Sequence, residues 1–194
     1  MHRIYKLAWV LRAFIFKLMF KSFGMPGYLG RPVFILGANR MSFGTKVRIF
    51  PGLRAECFEA GALTVGDDVS IGQNFHVICS SELSIGSGCL ISSGVFVTDT
   101  DHQYEDVSMP VSHQPVTVKP TRIGDNCFIG VGARIQAGTV LGKGCVVGAN
   151  AVVRGAFPAY SVLVGAPARA VRRYAPKDGS WNRVSSASRM EGGR

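Results

Sequence analysis

None of the five cysteines (Cys57, Cys79, Cys89, Cys127 and Cys145) stands in a CxxC pair, and their number is odd. A disulfide frame and a zinc site built from spaced thiols are both excluded on that pattern. The thiols read instead as small buried residues of a reducing compartment, so a cytoplasmic location is expected. The chain also lacks any run of about 20 uncharged apolar residues, the length a membrane-spanning helix requires. Its most apolar segment, residues 3–21, is interrupted by Arg3, Lys6, Arg12, Lys17 and Lys21. Lys17 breaks that run and no small-residue cleavage site follows, which argues against a secretory leader. No nucleic-acid-binding motif is present, and the middle of the chain has no excess of basic residues. The net charge of +10 gathers instead in residues 1–54 and again from Arg169 onward, and it points to a phosphorylated cofactor or a membrane surface. Glycine is abundant at 24 residues, yet it is neither clustered in a linker nor placed at every third position, which excludes collagen.

What remains is a chain of 194 residues, 47% apolar and 18% charged, long enough for one domain with short additions at each end. Residues 1–24 are expected to form an amphipathic N-terminal helix. At 3.6 residues per turn Arg3, Lys6, Lys17 and Lys21 share one side and Arg12 stands apart. The rest of that surface is aliphatic and aromatic, including Trp9, Phe14, Phe16 and Phe20. Two kinds of role fit this pattern: a helix lying in a membrane interface with cations toward anionic headgroups, or one that caps the open end of the fold or packs between subunits.

A period of six residues governs the centre. From Ile123 the chain reads IGDNCF, IGVGAR, IQAGTV, LGKGCV, VGANAV and VRGAFP without a gap. The first positions are Ile123, Ile129, Ile135, Leu141, Val147 and Val153; the fifth are mostly small, from Cys127 to Phe157. An earlier block has the same phase, with units starting at Val65, Ile71, Val77, Ile85, Ile91 and Val97. Residues 99–122 break the pattern and are expected to leave the coil as a loop. Six in-phase hexads predict an all-β, parallel β-helix over residues 25–174, in which each hexad is one short strand and a corner and three hexads close a turn. Stacked coils bury an aliphatic interior that one coil cannot bury alone. Residues 175–194, polar and rich in Ser, Gly and Arg, are expected to be a flexible tail.

These hexads, with the ending VLVGAPARAVRR at 162–173, resemble the hexapeptide-repeat acyltransferases. The chain is most similar to the galactoside, maltose and nodulation-factor O-acetyltransferases and to enzymes that acetylate capsule or O-antigen sugars, over roughly residues 65–173. The resemblance implies a left-handed coil, a homotrimer with the site between subunits, acetyl-CoA as acyl donor and a saccharide acceptor. It implies that His102, closing VFVTDTDH, is the general base. An imidazole suits removal of a proton from a sugar hydroxyl near neutral pH. Asp99 is taken as the carboxylate that orients His102, with Asp101 flanking it equally closely. By the same resemblance Asn74 and Phe128 meet the acceptor, Phe128 standing where some relatives carry tryptophan. Gly130 and Val131 meet the thioester end of the coenzyme, Gly148 and Ala149 line its pantetheine arm, and Arg154, Arg169 and Arg172 meet its phosphates. Arg154 departs from the family, whose members carry threonine there.

Three other readings compete. Transfer to the amino group of a nucleotide sugar uses the same fold and donor. A trimeric scaffold without chemistry is a second. A zinc-dependent carbonic anhydrase of this architecture needs three histidines across a subunit interface, and the spacing of His76, His102 and His113 does not match it. No metal and no nucleic acid are therefore expected as ligands.

Overall fold

The computed structural model describes residues 2–58 and 60–184. A parallel β-helix with three flat faces follows a single N-terminal helix, α1 (His2–Lys17). Face I stacks seven strands, from Ser22–Phe23 to Ala156–Phe157. Face II runs from Tyr28–Leu29 to Ser161–Val164, and face III from Phe34–Leu36 to Val152–Val153. The chain visits the faces in the order I, II, III, so each coil contributes one strand to each.

The register explains the periodicity. On face I, Phe43, Val65, Ile85, Ile123, Leu141 and Phe157 are successive partners. On face II the ladder is Leu29, Ile49, Ile71, Ile91, Ile129, Val147 and Leu163. On face III it is Ile35, Ala55, Val77, Val97, Ile135 and Val153. Nearly all of these side chains are buried, so each hexad's first residue is a rung of one of three continuous apolar columns. Two features depart from the hexad reading. The rung after Val153 is Phe157 and not residue 159, because the turn between faces III and I is two residues shorter there. Two coils also precede Val65, with rungs at Phe23, Leu29, Ile35, Phe43, Ile49 and Ala55.

Both ends of the coil are covered. The first coil would expose unpaired backbone groups and the end of the core. Across it lies α1, where Arg12 donates to the carbonyl of Leu29 at 3.3 Å. Trp9 packs on Tyr28 and Phe50 with ring centroids 5.6 and 5.8 Å away. Phe20 follows, 5.0 Å from Phe43. The helix is thus shorter than the expected 1–24, since Ser22–Phe23 already belongs to face I. At the other end Arg169–Ala175 and Ser180–Arg183 extend face II as antiparallel strands. That corrects the expected tail over 175–183: Tyr174 packs between Tyr160 and Trp181 and closes the hairpin. Residues 185–194 of the expected tail lie outside the described residues.

Candidate active site

The excursion leaves the coil at the edge between faces III and I. After strand Phe96–Thr98 the chain forms Thr100–His102, which pairs antiparallel with Val116–Val118. The coil resumes at Thr121–Ile123 in unbroken register with Glu82–Ile85. Asp99 anchors this stem. It is fully buried, and its carboxylate accepts from the backbone N–H of Ser80 (2.8 Å) and of Ser81 (2.7 Å), and from the hydroxyls of Ser81 (3.0 Å) and Thr100 (2.9 Å). The N–H of Lys119 donates to the Asp99 carbonyl at 2.7 Å, closing the stem from the other strand. Farther out, buried Gln114 accepts from the N–H of Asp106 and donates to its carbonyl.

Beyond Asp99 the strand alternates. Asp101 receives Arg154 Nη2 at 2.6 Å, whereas His102, opposite Val116, is exposed. The expectation that Asp99 orients His102 is therefore corrected. Four donors already saturate its carboxylate, and they tie the stem to the coil rather than to the imidazole. Asp99 sets where His102 stands without touching it.

Beside the stem, along the same edge, is a cavity of about 430 Å³ lined by Lys119, Gln136, Gly138, Arg154, Gly155 and Arg169. Lys119, Arg154 and Arg169 bring three cations to it, and Asp101 holds one of them in place. Guanidinium forks with a lysine are suited to phosphate oxygens. Lys119 was not singled out in the sequence; its signal is its place as the residue rejoining the coil beside a corner glycine, Gly138.

The other expected residues lie on a different edge, between faces II and III. Asn74, Gly130, Val131, Gly148 and Ala149 occupy corners there, Asn74 two coils before Gly130 and Gly148 one coil after it, with Phe128 on the adjoining part of face II, 40% exposed. Gly130 is required for close approach, since a Cβ would stand 2.7 Å from the backbone nitrogen of Ala149 and the carbonyl oxygen of Val147. Asn74 adopts the left-handed conformation, φ 56°, which asparagine tolerates better than most residues. It also lines a second cavity with Arg31, Pro51 and Gln73. Arg172 is apart from both groups, on the antiparallel strand over face II.

A further polar cluster lies on the outside of face III, between these edges. Glu56 accepts from Arg54 at 2.6 Å and lies 3.3 Å from His76 Nε2, whose ring rests 4.9 Å from Phe96. The bond from Arg54, helped by the one from His76, holds the Glu56 carboxyl below the usual carboxylate range. Arg54 and His76 are register partners one coil apart, so the cluster follows from stacking rather than from any local motif. The cysteines are all buried and unpaired. Hydrogen bonding between neighbouring thiols pushes Cys79 and Cys127 up and pulls their partners Cys57, Cys89 and Cys145 down; all five are sealed in the core, which suits packing rather than nucleophilic chemistry.

A continuous three-faced coil carries at one edge a hairpin that presents His102 and, beside it, a cavity lined by three cations. Comparison with known proteins gives the class. The family described as "Hexapeptide repeat of succinyl-transferase" matches residues 62–99 and 120–154, on both sides of the excursion. WbbJ of Escherichia coli, whose name assigns it to lipopolysaccharide biosynthesis as an O-acetyl transferase, is 31% identical over 79% of this chain and 82% of its own length. A Mycobacterium tuberculosis protein assigned as an acetyltransferase is 38% identical over 68% of this chain, which spans only 42% of that relative. Among solved structures, AntD, an N-acyltransferase from Bacillus cereus in complex with dTDP-4-amino-4,6-dideoxyglucose and coenzyme A, superimposes with a TM-score of 0.72. At 20% identity, over 86% of this chain and 90% of that one, it is a likeness of fold. The chain belongs to the hexapeptide-repeat acyltransferases.

Proposed function

We propose that this chain is an acetyl-CoA-dependent O-acetyltransferase acting on a sugar hydroxyl of a bacterial surface polysaccharide or its precursor, with His102 as general base. The observation that carries the reading is the linkage at the edge between faces III and I. His102 stands on a strand whose neighbouring residue, Asp101, is ion-paired to Arg154 in the wall of the cationic cavity. Base and phosphate-suited surface are thereby held on one edge. His102 takes the acceptor hydroxyl proton as the oxygen attacks the thioester carbonyl, and returns that proton to the departing sulfur. The products are the acetyl ester and free coenzyme A. General-base help of this kind contributes about 10²–10⁴-fold.

The division of the expected residues between two edges supports a homotrimer. The acceptor contacts assigned to Asn74 and Phe128, the thioester contact assigned to Gly130 and the pantetheine contact assigned to Gly148 lie on a different edge of the coil from His102. A second copy placing its II/III edge against the III/I edge of the first completes the site.

Transfer to an amino group is the second reading, favoured by the likeness to AntD. One experiment separates them: thiol release from acetyl-CoA by wild type and His102→Ala, with neutral sugars, lipid-linked glycans and amino-sugar nucleotides as acceptors. Release that depends on a hydroxyl-only sugar and is lost in His102→Ala is expected. Release only with the amino-sugar nucleotide moves the assignment to N-acyl transfer. Absence of acetyl-CoA binding overturns both and leaves a scaffold.

A further inference from the structure

The N-terminal helix is apolar on two opposite sides. Its inner side, Trp9, Ala13 and Phe16, packs on the first coil. At about 100° per residue, Leu7, Leu11 and Phe14 point the other way, and Leu18 continues their line just past the helix end. These residues, with Ile15 and Met19, are 53–90% exposed. Isolated surface leucines are ordinary, but six contiguous large apolar side chains on a solvent face mark a contact surface. The stripe is the convex back of a helix rather than a groove, which suits a plane better than an inserted segment.

Charge identifies the plane. No acidic residue precedes Glu56. Ten of the 22 basic residues lie before it, and the other twelve are matched by the chain's twelve acids. Residues 1–55, which form α1 and most of the first two coils, thus carry ten positive charges and no negative one, whereas over the rest of the chain acids and bases balance. Lys6 and Lys17 flank the apolar stripe, Lys21 follows it, and all three are exposed. Among the described residues no helix is long and apolar enough to cross a membrane. We propose that this end of the protein docks on an anionic lipid bilayer, with the outer side of α1 entering the headgroup–acyl boundary and the lysines meeting lipid phosphates. An apolar helix face with cations beside it binds by these two contributions together.

Removing the helix is a poor test, because Ala13, Phe20 and the Arg12–Leu29 bond close the core. Substitutions on the outer side leave that packing alone. The full-length protein is floated with phosphatidylcholine vesicles, with and without phosphatidylglycerol, alongside Leu11→Glu/Leu18→Glu and Lys6→Ala/Lys17→Ala variants. Melting and solution mass are recorded for each. Wild type is expected to float with phosphatidylglycerol vesicles and far less with phosphatidylcholine alone. The lysine pair should lower vesicle affinity about tenfold or more, and the leucine pair should abolish flotation, both with melting unchanged. Failure of wild type to float, or flotation unaffected by the leucine pair, overturns the proposal. A change of solution mass in the leucine pair without a change in flotation also overturns it and makes the stripe a contact between copies.

Discussion

Replacing Asp99 by alanine separates a carboxylate that holds the hairpin from one that acts on His102. The substitution removes an acceptor serving the N–H groups of Ser80 and Ser81 and two hydroxyls, at a carboxylate with no solvent access. The hydroxyls can turn elsewhere, but the two backbone donors cannot. An unsatisfied buried donor costs about 1–3 kcal/mol, and because both serines are half-buried the lower part of that range applies, about 2–4 kcal/mol for the pair. For a chain of this size each kcal/mol moves the melting temperature by about 2–4 °C, so Asp99→Ala should melt roughly 5–15 °C lower. His102→Ala, at an exposed position, should stay within about 0.5 kcal/mol of wild type while turnover falls by about 10²–10⁴. Differential scanning fluorimetry and initial-rate thiol release, both well below the lower melting point, give the two numbers for each variant. The expected result is a crossed pattern: Asp99→Ala loses stability and retains more turnover than His102→Ala, with the same pH profile as wild type. If Asp99→Ala melts like wild type and loses turnover as deeply as His102→Ala, Asp99 acts on the base and the structural account is refuted.

Arg154→Ala should raise the KM for acetyl-CoA with a small effect on melting, since the exposed pair with Asp101 contributes about 0–1 kcal/mol; steady-state kinetics checks this. Ile129→Ala removes a fully buried rung between Ile91 and Val147; a loss of about 2–5 kcal/mol is expected by denaturant unfolding. Gly130→Val should yield little soluble protein, because the atoms its side chain would meet first are backbone atoms of the next coil. The contribution of Glu56 has a definite sign. Its folded pKa is depressed, chiefly by the Arg54 hydrogen bond. Its stabilisation is therefore full above the ordinary carboxylate pKa of about 4.3 and is lost as pH falls through the folded value. The melting difference between wild type and Glu56→Gln should shrink steadily over that window.

The coil was legible where its rungs are aliphatic and evenly spaced, from Ile123 to Val153, because a column of stacked side chains tolerates little else. Its rungs before Val65, all but Phe23 inside the expected 25–174, were illegible for two physical reasons. Phe23 and Phe43 serve as rungs in the wide first coils, and the passages from face III to face I take eight to ten residues there instead of six. The site was legible by kind and blurred in detail. The edge that carries His102 follows from where the hexads stop. Which of Asp99 and Asp101 turns inward depends on the strand alternation that begins after Thr98, and nothing in TDTDH distinguishes the two. The Arg154–Asp101 pair spans 53 positions and exists only because the excursion folds back along the edge it left.

The unbroken register across that excursion, Ile85 beside Ile123, has an evolutionary consequence. To the coil the inserted hairpin is a parenthesis: the columns continue as if residues 99–120 were absent. Everything outside the stem can change length and composition without asking any rung to move, so the hairpin's sequence and the coil's thermal stability are free to drift independently. A lineage can rewrite one hairpin and inherit the rest.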